Sequence, residues 1–239
     1  MLRGVWTTWR KHKRPIRIAA AMATLVSVIA MWSVVEHKPA WYAPARLDDG
    51  ARRAARRSAA ARADAFGDLL VRREPFDFVL TEEEVNGWLA SAPEWWPRAK
   101  EADWRDPVVR FEPGTARLGA LVERGGWRAI VSVAVGVRLA SGGSDVELRL
   151  EEAYGGSLPI PLAVLGWAAA RHGLSDSGRD SDRQGASVTS LVHVLESVDE
   201  LLSGVRRPNW FVWPNGDRAF SIEELTLEEG RLKLRIRPR

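Results

Sequence analysis

The chain of 239 residues contains no cysteine and only four histidines. Without cysteine it has no disulfide, no thiolate nucleophile and no lipobox cysteine for a lipid anchor. No pair of histidines has metal-ligand spacing with a carboxylate nearby, and neither a Gly-x-Ser-x-Gly elbow nor a phosphate-binding glycine loop is present. We therefore expect no catalytic residue, no metal site and no cofactor, and we predict that the protein is not an enzyme.

Ionisable side chains are also absent from residues 18–35, and this stretch is strongly apolar. As a helix it would span about 27 Å, close to the thickness of the hydrocarbon layer of a bilayer. The flank before it is basic, because it holds Arg3, Arg10, Lys11, Lys13, Arg14 and Arg17 and no acid. This pattern predicts a cytoplasmic tail over residues 1–17, a single transmembrane helix over 18–35 and an extracytoplasmic C-terminal domain.

Two features just after this stretch bear on the same prediction. Ala43, Pro44 and Ala45 resemble a signal-peptidase site, so a cleaved signal peptide is the alternative to a retained signal-anchor. We expect Trp32, Trp41 and Tyr42 to form an interfacial aromatic belt at the outer end of the helix.

The excess of positive charge is confined to the N-terminus. Residues 1–38 hold seven Lys or Arg and one acid, which leaves 28 basic and 30 acidic residues for the remainder. Nucleic-acid binding needs a basic face on the folded domain, so we expect no nucleic-acid partner.

The remainder divides into a stalk and juxtamembrane helix over residues 36–75 and an external α+β domain over 76–239. An Ala- and Arg-rich helix is predicted over 47–73, capped by Asp48 or Asp49. A second helix follows Thr81, which has capping-box spacing to Glu84. Further helices are predicted over 162–172 and 188–203, separated by a polar loop over 174–187.

Three turns, at residues 113–114, 125–126 and 142–143, predict an antiparallel meander with a defined register. It sets Leu118 opposite Val133, Ala120 opposite Val131, Leu139 opposite Val146, Val137 opposite Leu148 and Val135 opposite Leu150. These residues form one apolar face, which Val109 and Phe111 extend. The other face is predicted to be solvated and carries Arg110, Arg117, Glu123, Arg128, Ser132, Arg138, Glu147 and Arg149. A closing hairpin pairs Leu227 with Leu232 and Glu228 with Arg231.

Tryptophan is unusually abundant, with twelve residues. Its rings either line a hydrophobic site or touch the membrane, or else they fill the ends of a modest core. If a ligand site exists, the predicted lining residues are Trp88, Trp95, Trp96, Trp104, Leu158, Ile160 and Trp167.

The run from Phe78 to Leu89, with Thr81, Glu82, Glu83, Glu84, Val85 and Asn86 at its centre, resembles the threonine/glutamate-Leu-Asn helix of YpmS-like single-pass envelope proteins. The segment 156–161 (Gly-Ser-Leu-Pro-Ile-Pro) and the closing hairpin occupy corresponding places. The family is remotely similar to tubular lipid-binding modules, so the resemblance implies a curved antiparallel sheet packed on helices and an elongated apolar groove. Here Val85 replaces the family's leucine, and residues 174–187 are an insertion.

These observations predict an α+β protein with an N-terminal transmembrane helix, anchored at the cell envelope and binding a membrane lipid or another hydrophobic molecule. The alternative is a structural or assembly partner of other envelope proteins. An apolar sheet face left partly uncovered would favour the first, and a closed core with an exposed aromatic patch would favour the second.

Overall fold

The computed structural model describes residues 22–27, 30, 32–92, 104–124, 126–165, 167, 198–213 and 218–239. These residues form an α+β fold in which antiparallel sheets pack against helices, as predicted. The elements are α1 (Asp49–Val71), β1 (Phe76–Thr81), α2 (Glu82–Ser91), β2 (Trp104–Glu112), β3 (Thr115–Arg124), β4 (Trp127–Leu139), β5 (Asp145–Gly155), β6 (Leu158–Pro159), α3 (Val198–Ser203), β7 (Val205–Pro208), β8 (Phe211–Val212), β9 (Ala219–Glu228) and β10 (Arg231–Pro238).

The strands within the described ranges form two sheets. The larger has the order β2-β3-β4-β5-β6, with β7 also paired to β5, and the smaller has the order β1-β10-β9-β8. We call the first the large sheet and the second the small sheet. Every strand pair that the structure describes is antiparallel.

The predicted register of the meander is confirmed. Leu118 lies opposite Val133, Val137 opposite Leu148 and Val135 opposite Leu150. The closing hairpin is confirmed as well, with Leu227 opposite Leu232 and Glu228 opposite Arg231. A bulge in β5 leaves Glu151 without a partner on β4, but β4 itself alternates regularly, so its odd-numbered residues from 131 to 137 share the apolar face.

The main core lies where the apolar face of the large sheet meets the small sheet and α1. Val135 and Leu148 of the large sheet are buried in one cluster with Phe220 and Ile236 of the small sheet. Phe66 of α1 joins them and makes edge contacts with the rings of Phe76, Phe78 and Phe220. Aromatic rings in this geometry add to the stabilisation that burial provides.

Helix α1 begins at the predicted N-cap, because the carboxylate of Asp48 accepts a hydrogen bond from the backbone N–H of Ala51 at 2.7 Å. Its buried residues Ala59, Phe66 and Leu70 face the domain. Helix α1 therefore packs on the domain, although it precedes residue 76, where we predict that the domain begins.

The N-terminal segment is helical over the described residues 22–27 and 32–36, and their side chains are exposed apart from Val35, which is partly buried. Among the described residues, no helix is both long and apolar enough to cross a membrane. Residues 18–21, 28, 29 and 31 of the predicted span lie outside the described ranges, as do residues 1–17. Most of the predicted helix over 162–172, the loop over 174–187 and the first part of the helix over 188–203 also lie outside them.

The prediction of a solvated second face on the large sheet is wrong at its centre. Ser132 is buried there, and residues 39–42 cross the sheet beside it. The ring of Trp41 lies on Gly119, where a Cβ would come within 2.5 Å of Trp41 Cη2. We call residues 39–42 the strap. Arg138 and Glu147, which are also predicted for this face, lie away from the strap and pair at 3.0 Å.

The alternation of β4 can be tested with two substitutions on opposite faces. Val135→Thr keeps the side-chain shape but buries a hydroxyl in the core, so we expect a loss of about 1–3 kcal/mol in the free energy of unfolding. Arg138→Ser, at an exposed position, should shift the Tm by no more than about 2 °C. Thermal unfolding of the full-length protein in detergent measures both, and equal losses would contradict the two-faced sheet.

Candidate functional site

The glutamate-rich motif that begins at Thr81 fastens α2 to the free edge of β2. Asn86 Nδ2 donates to the carbonyl of Val109 at 2.8 Å, and the N–H of Val109 donates to Asn86 Oδ1 at 2.7 Å. The N–H of Phe111 donates to Glu82 Oε2 at 3.2 Å. Thr81 and Glu84 form the predicted capping box. The motif thus supplies hydrogen-bond partners that an edge strand otherwise lacks.

A cleft of about 840 Å³ opens beside this motif, between the chain that follows the strap, α2 and the β9–β10 turn. Glu82, Glu83 and Glu229 line it, and Arg110 pairs with Glu229 at 2.9 Å. Among the described residues, no group of three His, Cys, Asp or Glu side chains could hold a metal ion. Three carboxylates and one guanidinium share this lining with Ala43, Ala45 and Leu47, which is more charge than a site for an acyl chain usually carries.

The strap is fixed to the large sheet by a buried tyrosine. Tyr42 is 4% exposed and packs against Val108 and Ile130. Its hydroxyl donates to the backbone carbonyl of Asp106 at 2.7 Å. Burial, reinforced by the negative charge of Asp106, raises the pKa of Tyr42 to about 12. The expectation that Tyr42 lies in an interfacial belt is therefore wrong, because the ring is enclosed by the sheet.

A cationic side chain on the same face of β3 as Gly119 also contacts Trp41. The guanidinium of Arg117 lies 5.9 Å from the centre of the Trp41 ring and 5.5 Å from that of Tyr154. Burial opposes its charge, but hydrogen bonds to Glu112 and Glu152 outweigh that effect and raise the pKa of Arg117. The side chain therefore remains cationic and joins the strap to three strands.

The apolar face of the large sheet is not covered evenly. Around Val135, Leu148 and Leu150 it is buried against the small sheet. Closer to β6 a second group of residues on the same face is only partly buried. This group, the proximal patch, consists of Leu118, Val131, Val133, Leu158 and Ile160. Leu158 shares the face because it pairs with Gly155, which in turn pairs with Val131.

The proximal patch lies beside the end of the N-terminal helical segment. The N–H of Ser157 donates to the carbonyl of Val34 at 3.0 Å. Gly156 has a φ of +61°, and a Cβ there would collide with the carbonyl of Val35. The β5–β6 turn is therefore shaped to receive the chain that leaves the predicted anchor.

The predicted lining residues are only partly brought together. Leu158 and Ile160 lie in the proximal patch. Trp104 begins β2 and is 37% exposed, and Trp167 follows β6 and is 61% exposed. Trp88 is partly buried on α2, which covers the β2 edge of the large sheet and is separated from β6 by the intervening strands. Trp95 and Trp96 lie outside the described residues.

Sequence reasoning missed the strap and the half-covered state of Val131 and Val133. A glycine inside a strand signals close approach of another group, so Gly119 could have predicted a segment lying over β3. No local signal distinguishes Val133 from Val135, because both are valines on the same face of one strand.

Comparison with known proteins finds no matching family model, no matching curated protein and no matching solved structure.

The motif can be tested by removing one side chain. Asn86→Ala leaves the N–H and C=O of Val109 without their partners, so we expect a loss of about 2–3 kcal/mol in the free energy of unfolding. Glu83→Ala, on the exposed side of the same helix, serves as the control and should change stability little. Similar denaturation midpoints for the two variants would show that the Asn86 bonds do not fasten α2.

The burial of Tyr42 can be followed by titration, since the chain has only two tyrosines. Subtracting the titration of the Tyr42→Phe variant from that of the wild-type protein isolates the tyrosinate absorbance of Tyr42. This absorbance should rise with a midpoint near pH 12. In an unfolded chain the hydroxyl ionises near pH 10, so its stabilising effect is complete below about pH 10 and is lost as the pH rises through 12. A difference spectrum centred near pH 10 would contradict an enclosed Tyr42.

Proposed function

We propose that this chain is a single-pass membrane protein of the cell envelope whose extracytoplasmic domain binds a lipid or another hydrophobic molecule without catalysing a reaction. The N-terminus is cytoplasmic, and residues 18–35 form the membrane-spanning helix. The basic flank and the apolar stretch support this orientation, and the exposure of the described helical residues 22–27 and 32–34 is consistent with a helix that leaves the domain.

The observation that carries the lipid-binding proposal is the uneven cover of the apolar face of the large sheet. The apolar face is fully buried at Val135, Leu148 and Leu150, and Val137 and Leu139 beyond them are partly buried against the same core. The proximal patch is also only partly buried, although it consists of large aliphatic side chains and its members Leu118 and Val133 pack against the main core. Leu162 and Leu165, just after β6, are also only partly buried against the main core. Such a surface offers an acyl chain an apolar floor.

The position of the patch fits the same proposal. Its β6 side adjoins the turn that receives Val34 and Val35, so a lipid leaving the outer leaflet would meet this part of the domain first. The resemblance to YpmS-like proteins points in the same direction and remains a prediction.

Photocrosslinking in the membrane tests the proposal. The full-length protein is reconstituted into vesicles that contain a phospholipid with a diazirine in its acyl chain, irradiated and mapped by mass spectrometry. We expect adducts on peptides that contain Val131 and Val133 or Leu158 and Ile160, in addition to those on the anchor. Adducts confined to residues 18–35 would contradict lipid binding by the external domain.

A larger side chain in the proximal patch tests whether the crosslinks arise from lipid bound there. Val133→Phe should occupy the patch and reduce adducts on β4 and β6 severalfold. Val71→Phe is the matched control, because Val71 is exposed at the end of α1, outside the patch. If both variants crosslink like the wild-type protein, the half-covered valines are not the lipid site.

A structural or assembly role is the second candidate, and one observation favours it. Trp210 is 51% exposed beside Asn209, whose amide donates to the carbonyl of Gly143 at the end of the large sheet opposite the predicted anchor. A tryptophan there suits a protein partner better than the membrane. Under this alternative, a photoreactive residue at position 210 would join the chain to one defined envelope protein, and lipid adducts on the patch would be absent.

A further inference from the structure

The large sheet has one end at which the predicted anchor and two tryptophans come together. The register places Trp104, Val122 and Ala129 in one row across β2, β3 and β4, and Trp127 begins β4. The β5–β6 turn, which contacts Val34 and Val35, lies at the same end. We call this the proximal end. The turns at 113–114 and 142–143 lie at the opposite, distal end.

The side chains at the proximal end are of the kind that prefers the headgroup layer of a bilayer. Trp104 is exposed and Trp127 is partly exposed. The exposed guanidinium groups of Arg105 and Arg128 flank them, and both pair with Glu123, at 3.1 and 2.8 Å. Indole rings with one polar edge accumulate at membrane interfaces, and arginines there meet lipid phosphates.

The chain between the anchor and the domain has two fixed points. At the first, the backbone carbonyl of Val34 accepts a hydrogen bond from the N–H of Ser157. At the other, Trp41 lies on Gly119 and Tyr42 is buried against Val108 and Ile130. Only six residues separate Val34 from Trp41, so the domain is not held on a long, free linker.

We propose that the proximal end of the large sheet rests on the outer headgroup layer of the bilayer that holds the anchor, with anionic lipid phosphates as its partner. Strands β2 to β5 then rise away from the membrane, and the proximal patch lies just above the headgroups. This inference depends on the membrane anchorage in the proposed function, but not on lipid binding by the patch.

Two arginines on one strand provide a matched pair of reporters. Arg128 and Arg138 lie on the same face of β4, both are exposed and each pairs with a glutamate. Ten residues of strand separate them by about 33 Å. Because the chain has no cysteine, Arg128→Cys and Arg138→Cys each introduce a single site for a nitroxide spin label.

The labelled full-length proteins are reconstituted into vesicles of phosphatidylcholine with a minority of phosphatidylglycerol, and label accessibility to oxygen and to a water-soluble nickel complex is measured. We expect the ratio of oxygen to nickel accessibility to be severalfold higher at position 128 than at 138. Adding Trp104→Ser and Trp127→Ser together should lower the ratio at 128 and leave 138 unchanged.

Alkaline carbonate extraction separates the ways in which the proposal could fail. A protein that is extracted would overturn the anchorage and this inference with it. If the protein stays in the membrane but the labels at 128 and 138 are equally accessible to the nickel complex, the anchorage stands. Only the proposal that the proximal end rests on the headgroup layer would then be overturned.

Discussion

The arrangement of this domain depends on how the chain crosses the second face of the large sheet. Side chains alternate between the two faces of a strand, so a sheet packed on one face leaves the other to be covered or solvated. Here Trp41 lies on Gly119 and Tyr42 is enclosed by Val108 and Ile130, so the centre of the second face is covered as well. The strap thereby ties the segment after the predicted anchor to the middle of the fold, and α1 starts from a fixed position.

The apolar face of the large sheet is not buried to the same extent along the length of its strands. The small sheet and α1 bury it around Val135 and Leu148, whereas Val131, Val133 and Leu158 are only partly covered. The cleft beside α2 lies elsewhere and has three carboxylates in its lining. The partly buried aliphatic side chains thus adjoin the closed core, since Leu118 and Val133 pack against its buried residues, and they offer an apolar surface of the kind that hydrophobic ligands contact.

The run of acidic residues after Thr81 illustrates how a distinctive motif can serve structure. Val109 and Phe111 point their backbone polar groups away from β3, towards the outer edge of β2. Asn86 satisfies both groups of Val109, Glu82 accepts from the N–H of Phe111, and the N–H of Gly230 donates to the Phe111 carbonyl. The edge is thereby closed to pairing with another strand.

The sequence by itself determined the α+β class, the turns, the strand register, the N-cap of α1 and the capping box, because each depends on local periodicity or on neighbouring residues. Only the tertiary structure decided that Tyr42 is buried, that Asn86 closes the β2 edge and that Val133 is less covered than Val135. Those outcomes depend on segments distant in sequence. The alternation of residues within β4 does not indicate where the small sheet ends or where the strap crosses.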